Sequence, residues 1–81
     1  MSRSIRSARH RRLADLLFQH REAAGLKQAE VAARLDRHQP YISNIEAGQR
    51  RVDLAELIEL SEAIGFDLHA IVDELLRTPK E

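Results

Sequence analysis

Eighty-one residues are enough for one domain, whose small core leaves room for stabilisation by a second copy or another partner. The chain has no cysteine, which excludes a disulfide framework or thiolate zinc site and fits a reduced, cytoplasmic setting; no apolar run reaches the roughly 18 residues of a membrane span. Formal charge sums to zero, yet residues 1–51 carry eleven Lys/Arg against five acids, net +6, and residues 52–81 two against eight, net −6, so a basic part suited to a polyanion is set apart from an acidic part.

Apolar spacing of three and four predicts an all-α chain of five helices. The first runs from about Ser7 or Arg9 to Ala24, with Leu13, Leu16, Leu17, His20 and Ala24 as one stripe. The second, about Gln28 to Leu35, carries Val31, Ala32 and Leu35; at two turns it depends on tertiary packing to exist. The third covers about Gln39 to Ala47, with Ile42 and Ile45 inward and Pro40 in the first turn, where its missing N–H is harmless. The fourth opens on Asp53-Leu54-Ala55-Glu56, an acidic capping box, and the fifth begins after Asp67, a helix-capping residue. Gly25, Gly48 and Gly65 each follow a periodic segment, as a left-handed helix terminus requires. Residues 1–8 are expected to be a flexible basic arm, 9–77 the folded domain and 78–81 a frayed tail.

Catalytic and metal chemistry find no support. His10, His20, His38 and His69 lack a ligand spacing such as HExxH, and the glycines form no phosphate-cradling loop. Glu56, Glu59, Glu62, Asp73 and Glu74 are spaced like solvated helix faces. No cofactor or metal, and no enzyme activity, is expected.

The second and third helices are separated by about three residues around Asp36 to His38, the arrangement of a helix-turn-helix, whose second helix lies in the major groove of double-stranded DNA. The residues placed to face bases are Gln39, Pro40, Tyr41 and Asn44; Gln and Asn present a donor and an acceptor together, the pattern of adenine. Arg37 before that helix and Arg50 and Arg51 after it suit flanking phosphates, as does Gln28 at the start of the second helix. Arg3, Arg6, Arg9, Arg11 and Arg12 either follow a neighbouring groove or belong to a disordered segment or a solvated helix start.

In order and spacing, the segments REAAGLKQAEVAARL (21–35), YISNIEAGQRRVDLAELIELSEAIG (41–65) and FDLHAIVDELL (66–76) resemble the Cro and lambda-repressor-like, or XRE, helix-turn-helix family. The resemblance implies a compact bundle of four or five helices in a transcriptional regulator, dimeric in most members. It implies that Gln28 contacts phosphate, that Gln39, Pro40, Tyr41 and Asn44 face bases, and that Ser43 and Arg50 lie at the backbone. It also implies a buried or half-buried ion pair between Arg21 and Glu46. The chain departs from the family pattern at Lys27, where a Ser or Thr cap is usual, at Asp36 in place of a turn glycine, and at His38 and Pro40.

Phe66, Leu68, Ile71, Val72 and Leu75 are expected at a homodimer seam, because one recognition helix spans only a few base pairs and two copies about one helical turn apart supply useful specificity. The expected function is a homodimeric, sequence-specific DNA-binding regulator, of repressor type. The alternative is an antitoxin or adaptor whose acidic half grips a protein partner such as a toxin, with DNA contact secondary.

Overall fold

The computed structural model describes residues 7–80. Five helices make up the fold: α1 (Ala8–Ala23), α2 (Gln28–Arg34), α3 (Gln39–Glu46), α4 (Leu54–Ile64) and α5 (Leu68–Arg77). There is no strand among the described residues.

Local chemistry starts and stops each helix. The Ser7 hydroxyl accepts from the His10 N–H at 3.1 Å, so Ser7 and Ala8, assigned above to the arm, are the cap and first residue of α1. At the start of α2, Glu30 accepts from the Lys27 N–H at 2.7 Å; the lysine ammonium has no lone pair with which to return the bond. At α4 the capping box closes both ways, Asp53 accepting from the Glu56 N–H at 2.7 Å and Glu56 from the Asp53 N–H at 3.1 Å.

The turn between α2 and α3 rests on Asp36, whose φ of 57° makes it, among the described residues, the non-glycine residue with a left-handed backbone. Its N–H donates to Ala33 O at 3.1 Å and the Arg37 N–H to Ala32 O at 2.8 Å, a Schellman arrangement that reverses the chain within four residues. Gly48 (φ 76°) ends α3 by the same pair of bonds, to Ile45 O at 3.0 Å and from Gln49 to Asn44 O at 2.9 Å. A side chain at that φ would be strained.

All five helices contribute to one core, with Leu17, Val31, Leu60 and Ile71 as its largest fully buried side chains. The first helix departs from the predicted stripe. Arg21 is buried, whereas Ala24 is the exposed cap and His20 is half-exposed against the Phe66 ring at 4.9 Å; at 3.6 residues per turn the buried face advances from Leu17 to Arg21 before the helix ends.

A further expectation, at the dimer seam, is corrected. Ile71 is 0% exposed, so it belongs to the interior and is not available to a seam; Phe66, Leu68 and Leu75 are half-buried against the same core. On α5 the outward apolar residues are Val72, 39% exposed, and Leu76, 68% exposed. Arg9 and Arg12 turn toward the end of α5: Arg9 Nε donates to Thr78 O at 2.9 Å and Arg12 pairs with Glu74 at 3.3 Å. The same contacts, with the Thr78 hydroxyl donating to Glu74 O at 3.0 Å, hold Thr78 at the end of α5 rather than in a tail. Arg3 and Arg6 lie outside the described residues.

Candidate nucleic-acid interface

Helix α3 is amphipathic over only two turns, and that decides which side chains it offers. Ile42 and Ile45 face the core. The opposite side presents Gln39, Pro40, Asn44 and Ala47, exposed, with half-exposed Ser43 between them. His38 is the cap and Gln39 the first helical residue, with Pro40 immediately after, where an N–H would have had no intrahelical partner. The Ser43 hydroxyl donates back to Pro40 O at 3.3 Å.

Behind this face runs a chain of polar contacts into the interior. Arg21 donates through Nε to Glu46 Oε2 at 2.6 Å and through Nη2 to Oε1 at 2.9 Å, while Nη1 donates to Leu26 O at 2.8 Å. Both side chains are 7% exposed. The hydrogen bond to Glu46 raises the Arg21 pKa above its ordinary value against the opposing effect of burial. Gln28 Nε2 also donates to Glu46 Oε1, at 2.8 Å, and Gln28 Oε1 accepts from Gln39 Nε2 at 2.6 Å. Gln28, expected to point its amide at a phosphate, is thus half-buried between Glu46 and Gln39. The buried ion pair positions Gln28, and Gln28 positions the first residue of α3.

Tyr41 stands elsewhere than the resemblance implied. It is half-buried on the flank of α3 and packs against the core, since one helical position separates it from the exposed row. Its ring lies 4.2 Å from the Arg37 guanidinium carbon and 4.6 Å from that of Arg50, within cation–π range. Burial, then the nearby Glu56 carboxylate, push the Tyr41 phenol pKa up.

Glu56, read above as a solvated acid, is the residue the sequence did not single out for this surface. Its side chain is 15% exposed and accepts from Arg50 Nη1 at 3.1 Å and Nη2 at 3.0 Å. Arg37 Nη2 lies 3.9 Å away. The bond from Arg50 is the main cause that lowers the Glu56 pKa and raises that of Arg50. Its presence in a capping box was legible; its second partners, six and nineteen positions away in sequence, were not. Arg51 is exposed beyond α3. Its charge, after burial, contributes to lowering the His10 pKa.

The helix-turn-helix domain family matches residues 12–75, most of the chain. The chain belongs to the XRE-type helix-turn-helix family. Among similar proteins, this helix-turn-helix chain is 37% identical over 59 residues to an uncharacterized HTH-type transcriptional regulator, y4dJ, of Sinorhizobium fredii, covering 73% of this chain and 77% of that one. Its fold superposes on that of an XRE-family like protein from Pseudomonas syringae with a TM-score of 0.81, at 41% identity, over 86% of this chain and 85% of the other. The restriction-modification controller protein C.AhdI from Aeromonas hydrophila aligns with a TM-score of 0.68 at 27% identity, over 73% of this chain and 86% of its own. In this helix-turn-helix protein, among the described residues, no group of three metal-ligating side chains stands close enough to hold a metal ion, and no helix is long and apolar enough to cross a membrane.

Proposed function

We propose that the protein is a homodimeric, sequence-specific DNA-binding transcriptional regulator, acting as a repressor, that reads the major groove with the outward face of α3. The observation that carries this reading is the composition of that face. Gln39, Pro40, Ser43 and Asn44 are presented together on one side of a short helix, and guanidinium groups stand at both of its ends. Amides suit base edges, and arginines suit phosphates. Asn44 is the principal base reader in this reading, with Gln39 held in orientation by Gln28. Arg37, Arg50 and Arg51 serve the flanking strands. The similar Sinorhizobium protein is an HTH-type transcriptional regulator, which agrees with this assignment.

Dimerisation is supported by apolar side chains that one protomer leaves uncovered. Val72 and Leu76 recur at the four-residue interval on α5, and Leu54 and Ile58 do so on α4. Exposed apolar surface of this kind is commonly covered by a second copy. The seam would then centre on Val72, bordered by Phe66, Leu68 and Leu75.

Selection of bound sequences from a random duplex library at near-physiological salt tests the assignment. A two-fold symmetric motif with half-sites about 10–11 base pairs apart is the expected result. Enrichment of no sequence would sink it in favour of a protein-binding adaptor.

A further inference from the structure

The two guanidiniums beside α3 share an organiser that belongs neither to the reading face nor to the core. We propose that Glu56 is a positioning residue that holds Arg50 and Arg37 against Tyr41 as one preformed clamp for a single phosphate of the DNA backbone, an inference that rests on the DNA-reading function above.

Anchorage comes first. Glu56 occupies the first turn of α4, where it accepts the Asp53 N–H at 3.1 Å, and a helix N-terminus favours a carboxylate at that place. Fixed from behind, its two oxygens take Arg50 in a bidentate fork, which restricts the guanidinium in both position and plane. Arg50 Nη1 donates as well to Arg51 O at 2.9 Å. Arg50 comes from the loop after α3 and Arg37 from the turn before it; one carboxylate and one ring bring both to the same flank of the recognition helix.

The arrangement is incomplete as a purely structural device. Two guanidiniums meet one carboxylate in direct contact, so these three groups sum to one unit of positive charge, with the Asp53 carboxylate acting on Arg50 from further off. Of the five N–H donors on a guanidinium, Arg50 uses three here, two toward Glu56 and one toward Arg51 O. Arg37 approaches Glu56 at 3.9 Å, an ion pair beyond hydrogen-bond length, with its side chain 44% exposed. Spare donors, a spare charge and solvent access at the edge of the reading face match a phosphodiester, one negative charge with acceptor oxygens. Tyr41 supplies a flat, half-buried surface that keeps two like charges close and oriented.

Glu56→Gln separates positioning from simple repulsion of DNA by an acid. Glutamine keeps the length of the side chain and the capping acceptor for the Asp53 N–H but removes the charge that fixes the fork. Duplex binding is measured by fluorescence anisotropy for the full chain and for Glu56→Gln, each in the wild-type and in the Arg37→Ala/Arg50→Ala background, across a salt series. With both arginines present, Glu56→Gln is expected to weaken binding about fivefold, the order of the cost of ordering a long side chain at an interface. Without them, the same substitution leaves affinity unchanged or raises it, because only repulsion remains. Tighter or equal binding by Glu56→Gln in the wild-type background overturns the proposal, as does an equal loss in both backgrounds, which would indicate damage to the fold. A wild-type chain that binds no duplex would instead overturn the DNA-reading function and this inference with it.

Discussion

Replacing Arg21 by alanine removes three donors from the interior at once: two from Glu46 and one from the Leu26 carbonyl. The Glu46 carboxylate, 7% exposed, would then keep a single neutral partner, the Gln28 amide at 2.8 Å. Breaking a buried pair from one side costs about 3–5 kcal/mol because the remaining charge is uncompensated. An 81-residue chain has a total stability of about 4–12 kcal/mol, so this substitution removes a large part of it. At about 4–8 °C per kcal/mol for a domain of this size, melting should fall by about 12 °C or more. The double variant Arg21→Met/Glu46→Leu removes both charges and should recover most of the loss, since apolar replacement of a buried pair is often neutral. Thermal and urea unfolding followed by far-UV circular dichroism at fixed protein concentration measures both. A melting temperature for Arg21→Ala within about 3 °C of wild type, for a domain with this temperature sensitivity, would refute the buried-charge argument. A double variant no more stable than the single one would assign the loss to packing instead.

Asn44→Ala should reduce discrimination between the selected operator and a scrambled duplex by about 1–3 kcal/mol while leaving non-specific binding nearly intact; uniform weakening on both sequences would assign Asn44 to the backbone. Val72→Asp, on the outward face of α5, should shift sedimentation equilibrium toward monomer while preserving the helical spectrum, and an unchanged association constant would remove Val72 from the seam. Acid should destabilise the fold. The Glu56 pKa is lowered first by the Arg50 hydrogen bond, and that of Glu74 first by Arg77 and then by Arg12. Carboxylates lowered in the folded state contribute stability that is present above their ordinary value of 4.5 and is lost as pH falls through the lowered folded value. Glu56→Gln should therefore flatten the decline of urea stability below that pH, and a profile parallel to wild type would contradict the assignment.

Elements whose cause lies within a few residues were legible in the sequence by itself. The five helices, the Asp53 and Asp67 caps, the left-handed Gly48 and Gly65 and the inward pair Ile42 and Ile45 depend on propensity, capping and a 3.6-residue period, all of which act locally. The helix-turn-helix followed from their order and spacing. Tertiary structure alone decided how polar side chains are shared between elements. Glu56 lies six residues from Arg50 and nineteen from Arg37; Gln28 lies eleven from Gln39; Arg12 lies sixty-two from Glu74. A charge count places +6 in residues 1–51 and −6 in the rest, yet it does not say that Glu56 and Glu74 face arginines rather than solvent. Hydrophobic periodicity likewise marked Ile71 and Val72 as equally apolar, while the packing of α5 buries the first completely and leaves the second open. Burial depends on which helix covers which face, and a polar side chain finds its partner only after the chain has brought distant elements within reach.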